Sequence, residues 1–565
     1  MSTRLRLADL TPPRKPRIVP PDSGGTLDIQ LTPQEDRLCT LLDQFTNDLK
    51  EKRPDLSPVE CRIAGGWVRD KLLGGDSNDI DIALSSMMGI AFAELFVPFI
   101  EERGLEVRNV TKIARNPEQS KHLETCKATL MGLEIDFVNL RSEEYAVDSR
   151  IPTKVEFGTP SQDAMRRDIT VNALFYNVHT RSVEDYTGKG LDDLRKGVAR
   201  TPLPPRETFL DDPLRVLRCI RFASRFGFGL DPSLKESVRE KDVKDGLVSK
   251  ISRDRVGEEL DKMLKGRDPL HSLQLVEELG VHDEIFYLAP SAKPSGPLAP
   301  RKTSVIAATL IAALLSREFK SPLPELHEQL TSHAIADLGT RRRLYLAAAL
   351  TPFRDVSCPE KKKTIPASEV VIREGVKLGN QNKYLSGVPL LLQAHTILSR
   401  PTEEALSNPE PRVATGLLLR DKHISNTLTE AHWSASALFC LVQDLVNLWN
   451  LESDTLDLAA ASEVIELYNG LAKKVEELEL EDAILAPPML DGKEVCALLG
   501  MKPGVWMSNA LAKVVEWQLG HPTGTKEECG EFIKEEVKGG RLVVGDVKKS
   551  SGEEGGKKKK AKGLI

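Results

Sequence analysis

The 565-residue sequence is poor in aromatic residues and has no closely paired cysteines. Its eight cysteines include no Cys-x-x-Cys pair, which argues against a zinc ribbon or a disulfide framework and indicates a reducing compartment. No apolar run approaches the length of a membrane span, so no membrane partner is expected. The formal net charge is −6. If RNA is a partner, basic residues must therefore be concentrated locally.

Both ends of the chain are basic. The first 20 residues, MSTRLRLADLTPPRKPRIVP, hold five Arg or Lys, one Asp and four Pro. Two interpretations stay open for this start, a mitochondrial presequence or a disordered basic arm over residues 1–30, since the prolines break any long amphipathic helix. Residues 545–565 carry seven Lys against three acids. They predict a disordered extension that grips RNA or serves nuclear import.

The stretch GGWVRDKLLGGDSNDIDIAL, residues 65–84, joins a glycine turn to two carboxylates. Alternate side chains of a strand point the same way, so Asp79 and Asp81 are expected on one face. Two neighbouring carboxylates repel unless a cation lies between them, which predicts a divalent-metal site. An Asp-x-Asp or a Gly-Gly alone is common at solvated strand edges and in turns. In combination, the turn offers N–H groups to a triphosphate while the carboxylates hold the bridging metal.

This combination resembles the signature of the polymerase-beta-like nucleotidyltransferases, in the form found in class II tRNA nucleotidyltransferases (CCA-adding enzymes). The resemblance implies an α+β fold, in which a mixed α/β head with a mostly antiparallel sheet precedes an all-α neck, body and tail. It implies Mg²⁺ as cofactor, and it makes Gly65, Gly66 and Arg69 the residues that position the triphosphate. A third carboxylate on a neighbouring strand is typical of the family, and Asp136 in LEIDFV is the candidate. The polar segment 114–124 corresponds to a mobile loop that helps to switch nucleotide.

A second cluster, DAMRRDITVN over residues 163–172, sets adjacent arginines among acids. Such donors suit phosphate or ribose, although an isolated Arg-Arg-Asp is usually a surface salt-bridge cluster. In the resembling family, the motif Arg-Arg-Asp-x-Thr-x-Asn shapes the ribose and triphosphate pocket. The matching residues are Arg166, Arg167, Asp168, Thr170 and Asn172.

The segment PRETFLDDPLRVLRCIRFASRFGF, residues 205–228, begins with acids and then Pro213 at an early helical position, which is typical of a helix start. It predicts a helix with one basic stripe. Its arginines at 215, 218, 221 and 225 recur at spacings of three, three and four, and Arg218 is among the expected nucleotide-binding residues. Asp212 and Arg215 are expected side by side on one helical face. The plain alternative is a solvated helix that an acid merely caps.

An Asp/Arg pair of this kind is able to choose a base. A carboxylate only accepts hydrogen bonds and a guanidinium only donates them. Cytosine and adenine present an amino donor beside a ring-nitrogen acceptor, and uracil and guanine present the reverse, so the pair reads C and A. The resemblance agrees, because in that family the motif acid-acid-x-x-Arg serves as an amino-acid template. The next motif, ISRDRVGEELDKML, predicts a helix in which Arg253, Glu258 and Glu259 brace the templating helix.

The C-terminal half is helical by pattern and carries no second catalytic signature. Lys502 and Gly504, in a Lys-Pro-Gly turn before a helix, are expected to contact tRNA phosphates. The expected domains are an arm (1–30), a catalytic head (31–200), a nucleotide-selecting neck (201–270), a body (271–410), a tRNA-binding tail (411–544) and the Lys-rich extension (545–565).

The function expected from the sequence is template-independent addition of CCA to tRNA 3′ ends from CTP and ATP. Two alternatives stay open: a poly(A) polymerase with the same head, and an inactive RNA-binding descendant. The intact carboxylates argue against the second, because a binding module has no need of them. A monomer is expected, in the cytoplasm with nuclear and mitochondrial pools.

Overall fold

The computed structural model describes residues 4–20, 27–113, 124–145, 152–399 and 408–544. The expected mobile loop at 114–124, apart from Glu124, and the Lys-rich extension at 545–565 lie outside these ranges. The strands are β1 Arg4–Arg6, β2 Cys61–Ala64, β3 Asp79–Leu84, β4 Val107–Ile113, β5 Thr125–Leu130, β6 Leu133–Asn139, β7 Arg141–Tyr145, β8 Pro152–Phe157, β9 Phe175–Asn177, β10 Ser182–Glu184, β11 Val198–Ala199, β12 Gly229–Leu230, β13 Ser357–Glu360, β14 Lys363–Pro366 and β15 Thr455–Asp457.

Helices make up most of the remaining structure. They are α1 Leu7–Leu10, α2 Pro33–Lys52, α3 Gly66–Leu72, α4 Gly89–Glu101, α5 Pro160–Met165, α6 Gly190–Lys196, α7 Pro205–Asp211, α8 Leu214–Phe226, α9 Pro232–Val238, α10 Lys241–Ser249, α11 Arg253–Leu264, α12 Pro269–Leu279, α13 His282–Ile285, α14 Lys302–Leu315, α15 Glu328–Ala336, α16 Leu338–Ala349, α17 Ala367–Val370, α18 Tyr384–Leu398, α19 Pro411–Leu419, α20 Trp433–Asn447, α21 Leu458–Glu477, α22 Glu481–Leu485, α23 Gly492–Leu499, α24 Met507–Gly520 and α25 Lys526–Lys538.

A seven-stranded sheet in the order β10-β9-β2-β3-β6-β5-β4 forms the head. Only β3 and β6 run parallel among its neighbouring pairs, and the other pairs are antiparallel. The prediction of a mostly antiparallel sheet is therefore confirmed. On one side, α2 and α4 cover the sheet with a cluster of phenylalanines that includes Phe45, Phe92 and Phe137. Since Ile80 and Ile82 of β3 are fully buried, Asp79 and Asp81 emerge on the other face.

One continuous apolar core runs from the head through the neck and body to Ile484 and includes Leu519 of α24. A separate core, from Leu490 to Leu542, holds α23, α24 and α25 together. The main core therefore continues past the expected boundary of the tail at 411. The physical reason is that α20 is buried along its length and packs against α14, α15, α16 and α18 of the body. None of the described helices has the length and apolar character needed to cross a membrane.

Residues 4–20 are packed, which corrects the expectation of a disordered arm for this part of residues 1–30. Strand β1 pairs antiparallel with β15, and α1 contacts α14. Leu10 is fully buried and Leu5 is 6% exposed. The prolines do exclude a long helix, but an extended segment with two buried leucines and a strand partner is ordered without one.

Candidate active site

A cleft of about 640 Å³ lies between the sheet, the segment 163–172 and helix α8. Nine arginines and five carboxylates line it. This excess of guanidinium groups suits a ligand with several phosphates, because arginine binds phosphate oxygens in a bidentate fashion. The sequence predictions placed most of these residues in one site, and the structure brings them together.

The acids of β3 and β6 stand next to each other at one side of the cleft. Asp79 is exposed and Asp81 is half-buried, and the parallel register sets Asp81 beside Asp136. Burial, then the charge of Asp79, raises the pKa of Asp81 to about 6. Asp136 differs from the other two because Lys127 neutralises it across a 2.5 Å ion pair. A cation bound at Asp79 and Asp81 would relieve the unfavourable charge, so the two residues fit a divalent metal.

These acids do not form a complete metal cage. Among the described residues, no group of three His, Cys, Asp or Glu side chains is arranged to hold a metal ion. Mg²⁺ is commonly bound through one or two carboxylates together with substrate phosphates and water. The Asp79 and Asp81 pair matches that incomplete protein contribution.

The Gly-Gly turn gives Arg167 the space that it needs. Gly65 has φ +71°, and a Cβ at this position would lie 2.6 Å from Arg167 Nη1. The N–H of Gly65 donates to the carbonyl of Leu174 at 3.0 Å. The prediction that this N–H binds a phosphate is therefore wrong. A positive φ and a close guanidinium both require glycine here.

Asp163 binds both arginines of the Arg-Arg-Asp motif. Its carboxylate, 1% exposed, accepts from Arg167 at 2.8 and 3.0 Å and from Arg166 at 2.9 Å. Burial would raise the pKa of Asp163, but the charges of Arg167 and Arg166 outweigh it and lower the pKa to about 2. The two guanidinium groups are therefore held in fixed positions at the wall of the cleft.

Asp168 connects the head to the neck. Its carboxylate accepts from Arg218 of α8 at 2.7 Å, forms an ion pair with the same guanidinium at 2.6 Å and accepts from the amide of Asn172 at 2.9 Å. Asn172 in turn accepts from the buried Arg69. The guanidinium of Arg69 lies 4.7 Å from the ring centre of Phe226 on α8. Asp168, Asn172 and Arg69 thus form the joint that orients α8 against the sheet.

Asp212 and Arg215 both line the cleft, but the structure does not place them side by side on one helix. Pro213 stands at the start of helix α8 as predicted, but Asp212 lies outside the helix: Asp212 is extended (φ −137°, ψ 94°) at the end of α7. The carboxylate of Asp212 accepts from Arg255 of α11 at 3.0 Å. Arg215 donates to the carbonyl of Arg166 at 2.6 Å.

Arg255, Arg141 and Glu143 line the cleft and were not predicted from the sequence, and Arg255 matters most because it contacts Asp212. The signal for Arg255 was its place in the motif ISRDRVGEELDKML, where the neighbouring Arg253 was singled out instead. Arg253 donates to the carbonyls of Ile285 and Gly375, away from the cleft. Glu258 is exposed, so neither of these two braces α8 as expected. Glu259 does, because it accepts from Arg221 of α8 at 2.6 Å.

Lys502 and Gly504 lie in the tail, in the loop before α24. Lys502 is exposed, and a Cβ at Gly504 would lie 2.9 Å from Trp506 Cδ1. Glycine here lets the loop pass over Trp506, which is buried in the separate tail core. The two residues therefore belong to a surface apart from the cleft.

Comparisons with known proteins agree with this geometry. Residues 61–200 match the family described as the Poly A polymerase head domain, and residues 227–294 match the probable RNA and SrmB-binding site of polymerase A. The mitochondrial CCA tRNA nucleotidyltransferase of Candida glabrata is 35% identical over 90% of this chain and 96% of its own. The mitochondrial CCA tRNA nucleotidyltransferase of Saccharomyces cerevisiae is 36% identical over 90% of this chain and 93% of its own.

Solved structures show the same fold. The structure of a CCA-adding enzyme in its apo form II has a TM-score of 0.56 at 20% identity and covers 90% of this chain and 96% of that chain. The Thermotoga maritima CCA-adding enzyme complexed with tRNA has a TM-score of 0.54 at 19% identity, over 95% of this chain and all of that chain.

Proposed function

The chain belongs to the family of CCA tRNA nucleotidyltransferases, and we propose that it adds C, C and A to tRNA 3′ ends from CTP and ATP without a nucleic-acid template. The observation that carries the proposal is that two different devices meet at one cleft: Asp81, Asp212 and Arg215 line it, and Asp79 lies close to Asp81 on the same strand. Asp79 and Asp81 offer the carboxylates for phosphoryl transfer, and Asp212 and Arg215 offer one acceptor and one donor for a base.

The triphosphate would be held by the arginines of the cleft. Arg166 and Arg167 are fixed by Asp163, so little rotamer entropy is lost when they bind phosphate. Asp168 and Asn172 would act mainly by holding Arg218 and Arg69 in place. Gly65 keeps Arg167 close to the turn, and Gly66 follows it at the start of α3.

Mg²⁺ is the cofactor that fits the carboxylates of Asp79 and Asp81. Asp79 and Asp81 would hold it, and when bound it would supply Lewis-acid stabilisation of charge on the phosphates and on the attacking 3′-oxygen. Lys127 contacts one oxygen of Asp136, so Asp136 would assist through its other carboxylate oxygen. The role of the chain's own residues is to align the nucleotide and the tRNA 3′ end and to neutralise the triphosphate.

Base selection would use Asp212 as acceptor for the amino group of C or A and Arg215 as donor to the ring nitrogen. Arg255 donates to both oxygens of Asp212, at 3.0 and 3.4 Å, and the N–H of Leu214 donates to one of them at 3.2 Å, which fixes the carboxylate. Each carboxylate oxygen accepts more than one hydrogen bond, so the base would use the acceptor capacity that is left. Uracil and guanine would set donor against donor and acceptor against acceptor. Each mismatch of this type costs on the order of 1–3 kcal/mol.

The rest of the chain would bind and position tRNA. We infer a catalytic head, a selecting neck and a helical body, with a tail of residues 490–542 that presents Lys502 and Gly504 to RNA phosphates. A monomer is the proposed state. The proposed location is the cytoplasm with nuclear and mitochondrial pools, the last supported by the names of the two yeast relatives.

A product assay separates this function from its alternatives. The protein is incubated with tRNA that ends at the discriminator base, Mg²⁺ and each nucleotide alone or mixed, and the added nucleotides are sequenced. CCA followed by a stop is the expected result. A long A tract would indicate the poly(A) polymerase, and no addition by a protein that still binds tRNA would indicate the inactive descendant.

A further inference from the structure

A second basic cavity, of about 440 Å³, lies at the junction of the N-terminal arm, the neck and the body. Seven cationic side chains and two carboxylates are among its lining residues. The arm supplies two of the cations, the end of the neck supplies two, and the body supplies three. In that order they are Arg14, Lys15, Lys265, Arg267, Arg317, Arg341 and Arg342.

Most of these cations are not neutralised within the protein. Lys265 forms an ion pair with Asp261 at 2.5 Å, whereas none of the other six pairs with a carboxylate in the part of the chain that the structure describes. Of the two acids, Asp268 is engaged as the cap of α12, where it accepts from the N–H of His271 at 3.0 Å. Glu318 is exposed. The cavity therefore keeps a strong positive field.

The arm is held at this place by specific contacts. Arg267 donates to the carbonyl of Pro16 at 2.9 Å, and the N–H of Ile18 donates to the carbonyl of Phe226 at 3.0 Å. The side chain of Arg17 passes over Gly197, where a Cβ would lie only 2.2 Å from Arg17 Cδ. Glycine at position 197 leaves the space that Arg17 occupies. The arm therefore has a defined position, and Arg14 and Lys15 are part of the cavity wall.

We propose that this cavity binds the phosphate backbone of the RNA substrate, as a contact site separate from the catalytic cleft. Arg14, Lys15 and Arg317 are exposed, so each would bind a single small anion only weakly. A polyanion is different, because every phosphate that a cation neutralises releases condensed counterions and adds to affinity. The apolar floor, with Leu264 and Tyr345 buried, keeps the cations at the rim where a strand can reach them.

The proposal rests on the proposed function, and its test uses charge-neutralising pairs in the full-length protein. The variants R14Q/K15Q and R341Q/R342Q each remove two charges from the cavity. K361Q/K362Q, in the exposed turn between β13 and β14, removes two charges elsewhere and is the matched control. Thermal unfolding of each variant verifies that it is folded.

The expected result is a tRNA Kd raised about tenfold or more by each cavity variant at moderate salt. The slope of log K against log[salt] should fall in magnitude by roughly 1.4–1.8 for two lost contacts. The kcat at saturating tRNA and the KM for CTP should stay unchanged. A Kd and slope equal to those of K361Q/K362Q would overturn the proposal, and so would a selective rise in the KM for ATP, which would identify a nucleotide site. Failure of CCA addition by the wild type, with tRNA binding intact, would instead refute the proposed function.

Discussion

The guanidinium of Arg218 in the neck donates a hydrogen bond of 2.7 Å to the carboxylate of Asp168 in the head and forms an ion pair with it at 2.6 Å. Asp168 is 6% exposed, so the pair is shielded from water on its acidic side. Breaking it would leave a buried charge without its counter-ion, which is the costly way to disturb an ion pair. The relative position of head and neck, and with it the shape of the cleft, depends on this contact.

Arg218→Gln should lower the free energy of unfolding by about 2–4 kcal/mol, below the full cost for a buried pair because the Arg218 side chain is 35% exposed. Urea unfolding measures the change. The matched control is Arg206→Gln, which breaks exposed pairs with Glu240 and Asp242 and should change the free energy of unfolding much less, because solvent screens exposed pairs. Equal losses of unfolding free energy in the two variants would show that the Asp168–Arg218 pair contributes no more to stability than an exposed pair.

Acid should destabilise the protein through Asp163 and Asp168. Both carboxyl groups have a pKa lowered to about 2, against about 3.9 in the unfolded chain. A lowered pKa stabilises the fold above the unfolded value, and this contribution is lost as pH falls from about 4 towards 2. Each group should contribute about 2–3 kcal/mol at neutral pH. Unfolding free energies measured at pH 7 and pH 3 should differ less in Asp168→Asn than in the wild type.

Asp81→Asn should reduce the single-turnover rate of nucleotide addition about 10³-fold or more, since metal-assisted charge stabilisation is worth several kcal/mol. Rapid-quench measurement at saturating Mg²⁺ gives the rate. Asp76→Asn, in the loop before β3 where the Asp76 side chain is 84% exposed, should retain it. A rate near that of the wild type in Asp81→Asn would contradict the metal assignment.

Arg255→Gln should weaken nucleotide choice without contacting the base. Freed from Arg255, the carboxylate of Asp212 would sample more orientations, and discrimination of CTP and ATP against UTP and GTP should fall about 10-fold. Discrimination should fall further in Arg215→Ala, which removes the donor itself. Single-turnover incorporation of each nucleotide provides the ratios. If selectivity survives in Arg215→Ala, the templating role is wrong.

Gly65→Ala should impair both stability and activity. The new Cβ would meet Arg167 at 2.6 Å in a backbone conformation with φ +71°, so the variant should lose about 1–3 kcal/mol and shift Arg167. Gly104→Ala separates the two causes, because Gly104 has φ +73° but no atom within 4 Å of its Cβ position. Only Gly65→Ala should raise the KM for CTP.

The sequence predicted the elements that are determined by residues close together in the chain. The alternation in DIDIAL gave β3 its carboxylate face, and the three-and-four spacing of arginines gave α8 its cleft face, which Arg218 and Arg221 confirm. The features that were missed depend on partners far along the chain. Arg255 meets Asp212 across 43 residues, and no local spacing reveals that contact. The start of α8 at Pro213 was predicted and is confirmed, but Asp212, expected on the same helical face as Arg215, lies extended just before the helix.

The pairing of β1 with β15 also sets an order of events during synthesis. Arg4 lies opposite Asp457, so the first strand has no partner until about 450 further residues have been made. At a translation rate of roughly 5–20 residues per second, β1 stays without its partner strand for about 20–90 s. The N-terminal arm thus leaves the ribosome long before it can reach its native place, and the basic cavity that it completes forms only then.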